Sequence, residues 1–80
     1  MKDDKMNPFL DLRELKARCK ILKDTGIPAH IVLDDTSWRN GNILEVTRFY
    51  IVLDEFKLGK ITLFFTQIYD IKAFTDRGGR

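Results

Sequence analysis

Cysteine and histidine are nearly missing from this chain of 80 residues, which holds one of each, beside two prolines and one tryptophan. Cys19 alone cannot form an intramolecular disulfide, and a lone thiol suits a reducing compartment. One Cys and one His cannot complete a structural zinc site. His30 has no Cys, Asp or Ser at a catalytic spacing, and no glycine-rich phosphate loop is present. The sequence therefore points away from an enzyme and implies no cofactor. No apolar run approaches the roughly 18 residues that a membrane span needs. The opening MKDDK has no apolar stretch behind it, so a secretory leader is not expected. The expectation is a soluble, cytoplasmic protein without membrane contact. A large charge of one sign is missing as well. The formal net charge is only +2, so no global basic field marks the chain.

What is present is an ordinary apolar fraction and a polarised distribution of charge. Eighty residues allow one domain with a small core. Such a domain is marginal alone. With disulfides and metal set aside, oligomerisation is the remaining common source of buried area. Arg13, Lys16, Arg18, Lys20 and Lys23 outnumber Asp11, Glu14 and Asp24 in the first segment. Asp34, Asp35, Glu45, Asp54 and Glu55 outnumber Arg39 and Arg48 in the middle.

Residues 1–6 are polar and mixed in charge, and are expected to be disordered. Asn7-Pro8 has the chemistry of a helix start, with Asn as cap and Pro at the first helical position. Phe9, Leu12, Leu15, Cys19 and Leu22 then make one apolar stripe at helical spacing. A helix over residues 8–24 follows, ended by Thr25-Gly26. Five short strands are predicted at residues 29–33, 38–47, 49–53, 61–65 and 68–74. Asp34-Asp35-Thr36-Ser37 is turn chemistry. Gly41, inside the long second strand, marks a bend or bulge. Residues 75–80 form a polar tail, expected to be disordered. The pattern describes a mainly β domain with an N-terminal helix and a small closed antiparallel barrel over residues 28–74. The third strand is apolar on both faces, and one small barrel has one interior. Either the helix covers the surplus or a second subunit does. Strands three and four are the candidate subunit interface, pairing edge to edge.

These residues resemble the Sm-like family, and within it the bacterial Hfq RNA chaperones. Asn7-Pro8-Phe9-Leu10 is similar to the DPFL that opens the helix of that family. Ile27-Pro28-Ala29-His30-Ile31 resembles its entry to the first strand, VPVSI. The run from Gly41 to Leu53, GNILEVTRFYIVL, follows the spacing of its GQIESFDQFVILL. The likeness spans residues 7–74. It implies a five-stranded, strongly bent antiparallel barrel of the SH3-like kind, assembled as a homo-oligomeric ring, hexameric or heptameric. The chain departs from the family at named places. Thr47 stands where the bent strand ends in Asp, Thr36 replaces the glycine of the first turn, and the helix is longer by more than two turns. Phe64-Phe65-Thr66-Gln67 stands where the family has YKHA, so the Lys and His of its inner RNA site are absent.

By position, the resemblance implies three RNA surfaces. Arg48 and Phe49, with Thr66, would lie on the pore side, where a Phe face stacks a base for roughly 1–3 kcal/mol. The alternative for Phe49 is a core strand residue. Val32, Ser37 and Trp38 would form the opposite face, and the alternative for Trp38 is packing over the barrel mouth. Arg13, Lys16, Arg18, Lys20 and Lys23 would form a basic rim for phosphates, or merely a solvated helix face. Tyr50, Val52 and Phe64 would lie at the subunit interface. The remaining features have plainer readings. Cys19 reads as a small buried hydrophobe, His30 as structural or surface, and Asp34-Asp35 and Asp54-Glu55 as turn solvation rather than cation sites. Arg77-Gly78-Gly79-Arg80 has the composition of disordered RNA-binding tails. Three functions follow. One is an RNA chaperone-like ring that binds single-stranded RNA with altered specificity. The second is a non-RNA-binding assembly or scaffold module of the same fold that engages protein partners. The third is a monomeric SH3-like barrel docked on a larger ribonucleoprotein.

Overall fold

Asp11 opens the helix in the computed structural model, which describes residues 11–75. Its backbone is extended (φ -89°, ψ 173°), and its carboxylate accepts from the Glu14 N–H at 2.8 Å. An acidic cap with Glu three residues on is a helix-start pair. The helix α1 therefore runs Leu12–Thr25, a turn later than the expected start at residue 8. Asn7 and Pro8, on which that start rested, lie outside the described residues. So do residues 1–6 and Arg77-Gly78-Gly79-Arg80. Gly26 ends α1 in the left-handed conformation (φ 74°) and donates to the Lys23 carbonyl. The stripe Leu15, Cys19 and Leu22 is buried. Burial pushes the Cys19 thiol up to about 12, so it is an inert apolar group.

Five strands follow: β1 (Ala29–Leu33), β2 (Trp38–Val46), β3 (Tyr50–Glu55), β4 (Gly59–Phe64) and β5 (Ile68–Ala73). A 3-10 turn, Phe65–Gln67, joins the last two. The strands form one antiparallel sheet in the order β4-β3-β2-β1-β5. Among the described residues β4 and β5 do not pair, so the sheet is open rather than the closed barrel expected. One edge is β4 and the other is β5. β3 lies inside the sheet, hydrogen-bonded to β2 and β4. It has no free edge, which corrects the expectation that strand three pairs edge to edge with another subunit.

Alternation explains the core. Ile31, Ile51, Leu53, Ile68 and Ile71 are fully buried beneath Leu15 and Cys19. Each such side chain contributes about 1.5–3 kcal/mol of transfer free energy. α1 packs on β2 and β5, and leaves the outer face of β3 and β4 partly exposed. Gly41 allows the bend in β2. A Cβ there would lie 2.7 Å from the Glu55 Cα, so only glycine lets β3 approach. A register shift between Ile43 and Glu45 adds a bulge at Leu44 just beyond.

Candidate nucleic-acid interface

Two turns and the start of α1 build a cavity at one end of the sheet. Thr47 ends the bent stretch of β2. Its hydroxyl accepts from the N–H groups of Phe49 (3.2 Å) and Tyr50 (3.0 Å), while its own N–H donates to the Tyr50 carbonyl at 2.8 Å. A threonine oxygen thus organises the turn, as short polar side chains do. Arg48 and Phe49 sit at its tip. Phe65, opening the 3-10 turn, donates its N–H to the Phe49 carbonyl at 3.0 Å. That bond draws the second turn, with Thr66, against the first.

The result is a cavity of about 190 Å³ lined by Leu12, Arg48, Phe49, Phe65 and Thr66. The three residues expected on the pore side are therefore brought together. Phe49 is 64% exposed, so it is not the core residue of its alternative reading. The Arg48 guanidinium carbon lies 6.0 Å from the centre of the Phe49 ring. Lys16 Nζ lies 5.5 Å from the centre of the Phe65 ring. Each aromatic ring thus has a cation over it. Lys16, expected on a rim, lies over Phe65 without lining the cavity itself. The signal for its place was its position one residue beyond Leu15, at the border of the buried stripe.

The five basic helix residues do not act as one group. Arg13, Lys16, Lys20 and Lys23 recur at spacings of three and four, which places them along one side of α1. That side comes near the cavity through Lys16, which lies over Phe65. Arg18 lies on the other side and is committed elsewhere. It donates to the Ile71 carbonyl at 3.1 Å and pairs with Glu14 at 3.0 Å.

The second expected surface is rearranged. Val32 pairs with Trp38 across β1 and β2, so the two share a face, and Trp38 is 58% exposed. Ser37 does not join them. Its hydroxyl and N–H both donate to the Asp35 carboxylate, which lies in the turn before β2. The Ser37 hydroxyl first, then its N–H, hold the Asp35 carboxyl below the usual range. In place of Ser37, His30 and Asn40 complete the face. The His30 and Trp38 rings are 6.5 Å apart, and His30 Nδ1 pairs with Asn40 Oδ1 at 2.6 Å. Their strand alternation with Val32 and Trp38 was the signal that would have found them.

The third group is coherent in side chains. Tyr50 and Phe64 are register partners and meet edge to face at 5.5 Å. Val52 lies on the same face. Phe64 is 48% exposed. Glu55 reads as turn chemistry. Its carboxylate accepts from the N–H groups of Asn40, Lys57 and Leu58, closing the β3–β4 turn.

Comparisons with protein-family models, curated proteins and solved structures return no match.

Proposed function

We propose that this chain is a non-catalytic, Sm-like module that binds single-stranded RNA, with the cavity between the Arg48-Phe49 turn and the 3-10 turn as its base site. The observation that carries the reading is the convergence of exposed Phe49, Arg48 and Thr66 on one apolar cavity. An exposed phenyl face stacks a base of any sequence, and a cation beside it attracts phosphate. The Thr66 hydroxyl supplies a polar edge. The basic side of α1, Arg13, Lys16, Lys20 and Lys23, offers phosphates a path away from the cavity. The family likeness of the strand spacing supports RNA as the strand bound. A ring of copies, as that likeness implies, would repeat the site and raise avidity without new contacts.

Fluorescence anisotropy with labelled single strands, U-rich and A-rich, tests this, with duplex DNA as control. Single strands should saturate the wild type. Phe49→Ala should weaken binding about five- to 150-fold, the equivalent of roughly 1–3 kcal/mol for one stacked base. Binding equal to the duplex control, or untouched by Phe49→Ala, refutes the reading.

A second reading rests on a different observation. The Tyr50–Phe64 pair and Val52 form a partly exposed apolar face that α1 does not cover. A face of that kind suits an assembly module for protein partners.

A further inference from the structure

Apolar surface is left uncovered where the chain enters α1. Leu12, the first helical residue, is 47% exposed. It lines the cavity of about 190 Å³ together with Phe49 and Phe65. A hollow of about 390 Å³, lined by Asp11, Leu12, Arg13 and Lys16, shares Leu12 with that cavity. The ten residues that precede Asp11, MKDDKMNPFL, therefore join the helix beside the cavity.

The walls say what kind of group fits. Leu12, Phe49 and Phe65 are apolar, and aromatic rings pack well against one another in offset or edge-to-face pairs. An apolar cavity of roughly 150 Å³ takes one benzene molecule, so this one has room for one ring and not for two. Phe9 carries the one aromatic ring among residues 1–10. Three residues separate it from Leu12, a span of at most about 10–11 Å. Its neighbour Leu10, directly before the Asp11 cap, has a different place available. A hydrophobic residue there packs on the fourth helical residue, which is the buried Leu15.

We propose that Phe9 of the same chain occupies this cavity and has to leave before an outside ring can enter. The short tether favours it, because a group held on a short flexible linker acts at millimolar effective concentration. The docking rests on the cavity alone and does not depend on RNA binding. Its regulatory consequence rests on the RNA reading: a base competes with Phe9, and the apparent affinity falls with the fraction of molecules whose cavity is free. A partner that draws residues 1–10 away would open the site.

Nuclear magnetic resonance on the full chain tests the docking. In the wild type, NOEs should connect the Phe9 ring protons to the methyl groups of Leu12 and Thr66. Phenol serves as a one-ring probe and should shift the Phe49 and Thr66 amides. It should bind Phe9→Ala at least tenfold more tightly than wild type, the change expected when Phe9 fills the cavity about nine-tenths of the time. Phe9→Leu should fall between them. Absence of the wild-type NOEs overturns the proposal, whether or not Phe9→Ala folds. So does equal phenol affinity in wild type and a folded Phe9→Ala. NOEs seen only between differently labelled copies in a mixed sample overturn it too, because the ring would then come from a second copy. A single-stranded RNA that binds wild type and Phe9→Ala alike, while phenol tells them apart, counts against the cavity as the base site and leaves the docking of Phe9 standing.

Discussion

Single residues carry much of the geometry, and not all of them advertise it. Gly41 was legible as a bend because glycine within a strand often marks a bend or a close backbone approach, and the contact of its absent Cβ with Glu55 gives the reason. Cys19 was legible from its place on the helix stripe. Thr36 was legible only as part of a turn. Its φ is 73°, the left-handed region that a β-branched residue enters at a cost of roughly 1–2 kcal/mol. Nothing in a threonine signals that conformation. Thr36→Gly removes the strain and raises the entropy of the unfolded chain by an amount worth about 0.5–1 kcal/mol. The net expectation is a gain of up to roughly 1.5 kcal/mol, read as a higher urea midpoint. A lower midpoint would mean that the threonine side chain contributes more than its backbone costs.

At the scale of elements, the strands were legible and their closure was not. Period-two alternation places the five strands within one or two residues of where they lie, but it does not say which edges meet. The same alternation left strand three available for edge pairing, when its partners on both sides fill it. Asn7 and Asp11 both have capping chemistry; Asp11, with Glu14 behind it, caps the helix that the structure describes, and Asn7 lies outside the described residues. The β3–β4 hairpin shows how one carboxylate holds an element pair. Burial raises the affinity of Glu55 for a proton, but the N–H groups of Leu58, Lys57 and Asn40, with Arg39 near, outweigh it. The carboxyl is held below its usual range. A depressed folded pKa contributes stability that is full above the unfolded value of about 4.3 and is lost as pH falls through the folded value. Glu55→Gln should therefore be less stable than wild type at pH 7, and its urea midpoint should fall less steeply as the pH drops below about 4.3. Parallel pH profiles for the two proteins would contradict this role for the carboxylate.

For the whole molecule, the first candidate surface was legible in part, and for a physical reason. Arg48, Phe49 and Thr66 are separated in sequence but are joined by one backbone bond, Phe65 to Phe49. Only the family resemblance, by position, implied that meeting; nothing in the periodicity of the strands did. The sequence did not anticipate the division of the basic helix, because charge on a helix is readable while its commitments are not. Arg18 bonds the Ile71 carbonyl, and Lys16 lies over the Phe65 ring. Among the described residues no helix is long and apolar enough to cross a membrane. The surfaces that remain compete for the functional role: the Phe49 cavity, the Trp38–His30 face and the Tyr50–Phe64 face. Phe49 and Tyr50, and Phe64 and Phe65, are chain neighbours, so Val52 is the residue that tells the third face from the first.

The most direct measurement is therefore an amide chemical-shift titration of the labelled protein with a short single-stranded oligoribonucleotide at low salt. If the cavity is the base site, the largest saturable shifts fall on Arg48, Phe49 and Thr66, with Lys16 following and Val52 and Trp38 unmoved. Shifts centred on Trp38 and His30, or no shifts at all while a protein partner moves Tyr50, Val52 and Phe64, would contradict it.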